Sequence, residues 1–251
     1  MEPLTRGNIR LAATIVLLRE GPDGPEVFMM KRPGVGDFPD LHVFPGGKLD
    51  EADFAPELLQ GLDAGTADRL LGVAGGGLRY WVAAIRECFE ECGVLLAYRD
   101  GAPLSWANEG EIARFDGYRQ ELIDGRISLL EVCRREGLRL AADRVRYFSH
   151  WITPAVVPRR FDTRFFVAAM PEDQTTIAHH WETADDEWVR PRAALEAHRA
   201  GRWQMISPTL TTLDTLARFD DVSSILAAVD AETHLPPLTD ELARQGMHPL
   251  R

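Results

Sequence analysis

The sequence predicts an α+β sandwich with a mixed sheet, a helical insertion and extra helices near the C-terminus. Three observations carry that class. Leu11–Leu18, LAATIVLL, is a near-continuous apolar run and reads as a strand buried on both faces. Arg79–Cys92 is an amphipathic helix whose apolar stripe is Trp81, Val82, Ile85, Cys88, Phe89 and Cys92. The order of elements, three strands and a helix, a helical insert, then two strands and a helix, does not alternate as a βαβ array does.

The elements follow in turn. Gly21-Pro22-Asp23-Gly24-Pro25 is a turn cluster, and Val27–Lys31 beyond it completes a hairpin with Leu11–Leu18. After the Gly/Pro-rich Pro33–Pro39, Leu41–Phe44 leads into Pro45-Gly46-Gly47. Paired glycines after a strand permit either a plain turn or a close approach of backbone to ligand. Asp50–Leu78 is acidic and Gly-rich, with a helical patch at Ala67–Leu71. Gly75-Gly76-Gly77 lacks the strand and the G-K-S/T ending of a phosphate loop and reads as a connector. Gly93 is the expected stop of the amphipathic helix, and Val94–Tyr98 a short strand. Ser105–Leu140 has helical periodicity and divides into two or three helices at Gly117 and Gly125. Val145–Ile152, Arg164–Met170 and Glu187–Val189 are strands. Pro191 opens a helix to about Ala200, Ser207 caps one from Pro208, and Val222–Val229 forms another. Leu235–Arg251, with three prolines, reads as an extended tail.

At 251 residues, 45% hydrophobic and 27% charged, the chain has the composition of a globular protein. A net charge of −11 with no basic tract argues against nucleic acid as partner. No apolar run reaches membrane-spanning length, and the start lacks the apolar core of a signal peptide. Three cysteines, two on one helix stripe, read as reduced core residues of a cytoplasmic protein. Residues 1–251 are expected to form one domain, with the helical insertion and C-terminal helices as candidates for a homodimer interface or a substrate lid.

Chemistry concentrates at Arg86-Glu87-Cys88-Phe89-Glu90-Glu91-Cys92-Gly93-Val94. Glu87, Glu90 and Glu91 fall at i, i+3 and i+4, so on a helix they are neighbours nearly opposite the apolar stripe. Clustered carboxylates repel one another unless a cation compensates, and an oxygen-only set suits a hard ion such as Mg²⁺ or Mn²⁺. An ordinary solvated acidic face is the competing interpretation of that stretch alone.

Gly47, Asp53, Arg86, Glu87, Glu90, Glu91 and Gly93 together resemble the Nudix box, G-x5-E-x7-R-E-U-x-E-E-x-G-U with U apolar. The half from Arg86 to Val94 matches at every fixed position. Asp53 stands in place of the first glutamate, and an insertion at 48–78 lengthens the following gap by about 25 residues. A box split in this way is similar to that of the peroxisomal coenzyme A diphosphatase subgroup. The segments His42–Gly47, Trp151–Pro154, Arg159–Phe166 and Glu182–Trp188 match its pattern too. The resemblance implies a Nudix α/β/α sandwich, with insertions at 48–78 and 105–140 and a tail at 235–251. It implies hydrolysis of a nucleoside diphosphate linked to another moiety, with coenzyme A or acyl-coenzyme A as the first choice of substrate. ADP-ribose, NADH or a nucleotide sugar is the alternative, and a non-catalytic binding domain a further one. By resemblance Glu87, Glu90 and Glu91 ligate Mg²⁺ or Mn²⁺, and Arg86 orients a glutamate of the box. Glu91 and Glu182 are the two candidate general bases, Glu182 being equally well an ordinary loop acid. Gly46 and Gly47 shape the phosphate-facing loop, and Arg32, Arg160 and Arg164 are the candidate substrate-binding arginines. Asp40 and Gly36 depart from the coenzyme A pattern, which has a glycine and an arginine there.

Overall fold

A computed structural model describes residues 4–6, 9–32, 40–176 and 186–234. Its centre is one long strand, β2 (Ile9–Gly21), which pairs with β1 (Thr5–Arg6) and turns back into β3 (Gly24–Lys31). Gly24, at φ +116°, occupies a backbone region closed to most side chains and makes that turn possible. β4 (His42–Val43) pairs with β3, and β5 (Gly46–Lys48) pairs antiparallel with β2.

The segment between β5 and the acidic helix is ordered in short pieces. It contains two 3₁₀ turns, Glu51–Asp53 and Pro56–Leu58, then β6 (Leu59–Gln60) and α1 (Ala64–Leu71). α1 starts three residues earlier than the apolar pattern indicates, because Asp63 accepts the Thr66 N–H and caps it. α2 (Leu78–Cys92) follows, and Gly93 ends it in a left-handed conformation with its N–H on Phe89 O.

β7 (Ala97–Arg99) and β8 (Ala102–Pro103) lead into α3 (Glu109–Ile123) and α4 (Leu129–Glu136). Gly117 does not interrupt α3: its N–H and C=O continue the helix, and only Gly125, at φ +67°, breaks the run. Leu138–Ala141, expected as helix, is a strand instead, β9. It joins β6, β7 and β8 in a small second sheet: Gly137, at φ +66°, ends α4, and Leu138 and Leu140 then alternate with Arg139 as a strand does.

β10 (Arg146–Ile152) and β11 (Arg160–Ala169) form an antiparallel pair. β11 also lies parallel to β2 over ten residue pairs, starting four residues before the expected strand because Phe161–Thr163 sit opposite Arg10–Ala12. β12 (Glu187–Val189) pairs antiparallel with β3 and closes the far edge, giving the order β10-β11-β2-β3-β12. α5 (Pro191–Arg199), α6 (Ser207–Leu216) and α7 (Val222–Asp230) complete the described chain. Ser207 is the first residue of α6, not its cap. Ile206 takes the cap position without a side-chain bond.

Alternation along β2 sends its side chains to opposite faces, which explains why the whole run is apolar. Ala13, Ile15 and Leu17 join Trp81, Ile85, Cys88 and Phe89 of α2 in one core. Val16 and Leu18 join Leu213 and Leu216 of α6 and Ile225 of α7 in a second. The sheet is thus sandwiched between α2 and the C-terminal helices, an α/β/α arrangement.

Candidate active site

The acidic side of α2 lies against β5. Glu87 is only 8% exposed, and Cβ atoms built on Gly46 or Gly47 collide with their surroundings. At Gly46 the obstacle is backbone, Ala13 O at 2.6 Å and Thr14 Cα at 2.8 Å. At Gly47 it is the Glu87 carboxylate itself, with Cδ at 2.7 Å. Both glycines therefore serve close approach, one to the central strand and one to the acidic helix.

Arg86 organises the carboxylates. Its Nε and Nη2 donate to Asp53 Oδ1 and Oδ2 at 2.8 and 3.0 Å, a bidentate pair, and Nη2 also reaches Lys48 O at 2.9 Å. Its Nη1 donates to Glu87 Oε1 at 2.8 Å and Glu90 Oε2 at 3.2 Å. Asp53 is 1% exposed and stands where the box has glutamate, and the 3₁₀ turn Glu51–Asp53 brings it to Arg86 across 33 positions of chain.

Glu91 is held differently. Its Oε2 accepts the Gly46 N–H at 2.6 Å. Burial, then the charge of Glu87, holds its carboxyl well above the usual range, against the pull of the Gly46 N–H and Arg32. Burial likewise pushes Glu87 up to about 7, with Arg86 opposing and Glu90 adding to the rise. Glu90 is raised by burial and partly offset by Arg86. Three acids whose charged forms are all penalised make a place that favours an added cation.

Glu87 and Glu91 border a cavity of about 850 Å³ together with Gly46, Gly47, Lys48 and Arg32. Glu90 turns aside to Arg86 and does not line it. Among the described residues no group of three acids, imidazoles or thiols stands close enough to hold a metal ion. The glutamate trio therefore does not converge as the resemblance implies: Arg86 Nη1 sits between Glu87 and Glu90 and takes an oxygen of each. The donor chemistry still fits a hard divalent ion, since every candidate atom is a carboxylate oxygen.

The arginines separate. Arg32 lines the cavity and its Nη2 donates to Gly46 O at 3.4 Å. Arg160 Nε donates to Thr153 O at 2.9 Å and braces the 153–161 loop. Arg164, expected among the substrate-binding arginines, is instead 2% exposed on the α2 face of the sheet. It donates to Asp162 Oδ1 at 2.7 Å and Leu71 O at 3.2 Å and stacks over Tyr80. Strand parity is the reason: Phe161, Thr163 and Phe165 face the cavity, so Arg164 faces away. Glu182 lies outside the described residues.

Sequence reasoning missed the cavity's other end. Trp151, Phe161, Phe165, Met205 and Leu210 form an apolar wall from β10, β11, the approach to α6 and α6 itself. The period-2 pattern of Phe161, Thr163 and Phe165 was the signal that could have found it.

A family model, the NUDT19 Nudix domain, matches residues 73–216, from the approach to α2 through α6. The chain belongs to this family of Nudix hydrolases. Its curated relatives include the acyl-coenzyme A diphosphatase NUDT19 of Xenopus laevis, 24% identical, covering 80% of this chain and 62% of the relative. The Gallus gallus protein of the same name is 25% identical, covering 82% of this chain and 64% of the relative. The chain thus spans a little under two thirds of the length of these relatives. Among solved structures, a Nudix hydrolase from Alicyclobacillus acidocaldarius superposes with a TM-score of 0.72 at 25% identity, covering 87% of this chain and 96% of that one. Among the described residues no helix is long and apolar enough to cross a membrane.

Proposed function

We propose that this chain, acting as one Nudix unit with two insertions, hydrolyses the diphosphate of coenzyme A or acyl-coenzyme A. The products would be adenosine 3′,5′-bisphosphate and 4′-phosphopantetheine or its acyl form. One observation carries the reading: a single cavity joins the acidic, glycine-bordered end at Glu87 and Glu91 to an apolar wall at Trp151, Phe161 and Phe165. A diphosphate suits the first end and an acyl-pantetheine arm the second, and the relatives named acyl-coenzyme A diphosphatase support the pairing.

Glu87 and Glu91 would hold Mg²⁺ or Mn²⁺, and Glu90 would join them only on leaving Arg86 Nη1. When bound, such an ion neutralises diphosphate charge and lowers the pKa of water. Arg32 at the cavity edge would meet phosphate oxygens, and Lys48 beside it adds a second cation. Gly46 holds Glu91 by its N–H, so once ionised beside a bound cation Glu91 could take a proton from water without changing place. Arg86 keeps Glu87 and Glu90 apart and oriented. Arg160 acts indirectly through the loop it braces.

Hydrolysis of ADP-ribose, NADH or a nucleotide sugar is the second reading, favoured by Asp40, which takes φ +56° where coenzyme A hydrolases resembling this chain have glycine. A substrate panel separates the two. The purified protein with Mn²⁺ or Mg²⁺ is incubated with coenzyme A, acyl-coenzyme A thioesters, ADP-ribose, NADH and nucleotide sugars, and products are separated by chromatography. Release of adenosine 3′,5′-bisphosphate supports the proposal. Turnover of ADP-ribose alone, or of nothing, rejects it.

A further inference from the structure

α2 ends with carbonyls that no residue of its own helix can satisfy. Gly93 N–H takes Phe89 O, which leaves Glu90 O, Glu91 O and Cys92 O, the first two being the carbonyls of the acidic residues. Those two are met from outside the helix. Arg119, in the middle of α3, donates Nε to Glu90 O at 2.9 Å and Nη2 to Glu91 O at 3.3 Å. It is 2% exposed, among the largest fully buried side chains of the protein. Asp116 Oδ1, one turn earlier on α3, stands 3.6 Å from Nη1, and the charge of Asp186, at the entry to β12, also acts on it.

A guanidinium fork on the last turn of a helix does two things at once. It pairs the orphan carbonyls, and its charge opposes the negative end of the helix dipole. Its two bonds also fix the rotation of the turn that carries Glu90 and Glu91. A buried arginine is costly to desolvate, which a purely apolar contact between α2 and α3 would avoid.

We infer that Arg119 is a positioning residue, through which the 105–140 insertion sets where the Glu90 and Glu91 carboxylates stand. The insertion is then a clamp on the acidic helix and not a decoration of the surface. This inference rests on the hydrolase reading for its kinetic arm and on cation binding alone for the other.

The test compares Arg119→Met and Arg119→Lys with Arg114→Met. Arg114 lies on the same helix, bonded to Glu136 at 2.9 and 3.0 Å, so its loss loosens α3 against α4 without touching α2. Mn²⁺ binding is read by calorimetry without substrate, and kcat and KM are measured on whichever diphosphate the wild type turns over. Arg119→Met should weaken Mn²⁺ binding and lower kcat, each by about tenfold or more, as loss of an outer partner of a metal ligand does. KM for the nucleotide should stay within about twofold, since uniform binding is untouched. Arg119→Lys should recover much of the loss, and Arg114→Met should lower thermal stability only. If Arg119→Met does not fold, Arg119→Gln, which keeps a neutral donor, takes its place in the same comparison. Wild-type Mn²⁺ binding in the Arg119 variant, or equal losses in Arg114→Met, overturns the inference. A wild type that binds Mn²⁺ but cleaves no diphosphate defeats the hydrolase reading and leaves the binding comparison to decide this one.

Discussion

Gly46 N–H donates to Glu91 Oε2 at 2.6 Å, joining a strand of the central sheet to the acidic helix across 45 positions of chain. That bond holds one carboxylate oxygen toward the strand and leaves the other for cavity chemistry. Replacing Glu91 by Gln keeps an oxygen for Gly46 and removes the basic site. The expected result is a fall in kcat of about 10²–10⁴, the usual worth of a positioned base. Far-ultraviolet circular dichroism should be unchanged, and near-native turnover would remove Glu91 from the chemistry.

The two glycines of β5 should fail in different ways. Gly46→Ala drives a methyl into Ala13 O and the Thr14 backbone, which cannot yield, and should cost about 1–3 kcal/mol as overpacking does. Gly47→Ala meets first the carboxylate end of Glu87, which can shift at the expense of its bond to Arg86, so its melting temperature should fall less than that of Gly46→Ala while activity falls. Calorimetric melting and a turnover assay on both variants check the contrast, and equal loss of stability would refute it.

Asp53 and Arg86 form a bidentate pair with Asp53 almost fully buried. Asp53→Ala strands the guanidinium beside Lys48 O without its main counter-charge. Removing one partner of a buried pair typically costs about 3–5 kcal/mol. Urea unfolding should show that loss, and a change below about 1 kcal/mol would place the pair among ordinary surface bridges.

The raised acids make stability depend on pH. Burial lifts Glu87 from 4.5 to about 7, so between those values the folded chain holds a proton that the unfolded chain releases. The folded state binds more protons there, and stability of the cation-free protein falls as pH rises from about 4.5 through 7. Glu87→Gln should flatten that slope in part, because Glu90 and Glu91 are raised as well. Melting temperatures from pH 5 to 8 in chelator test this, and an unchanged slope in the variant would count against it. Added Mn²⁺ should stabilise the wild type more at pH 8 than at pH 6, since ligands must lose protons to bind.

The main architecture was legible because it depends on local signals. The apolar run at Leu11–Leu18 and the stripe on α2 report burial directly, and Gly93 reports the helix stop. The 138–141 strand was not, because the helical periodicity of the stretch before it was carried on through Leu140, although Leu138 and Leu140 alternate as a strand does and pair with β6 and β7. Arg164 was misjudged for a related reason. Its neighbours Arg159 and Arg160 suggested a cluster, but alternation on β11 puts Arg164 on the opposite face from Phe165. Arg119 gave no sign, since nothing in its surroundings marks it as the partner of carbonyls 28 and 29 positions earlier. Long-range hydrogen bonds leave no periodicity to read.

The contact between Asp53 and Arg86 clasps the two ends of a long segment. The two halves of the motif meet in space although 33 positions separate them, where the usual motif has eight. For a flexible connection, that extra length adds only about 1 kcal/mol of closure entropy. One buried bidentate pair outweighs it. The segment between the two halves can therefore carry structure of its own, β6 and α1, while its ends stay clasped as an acid and an arginine.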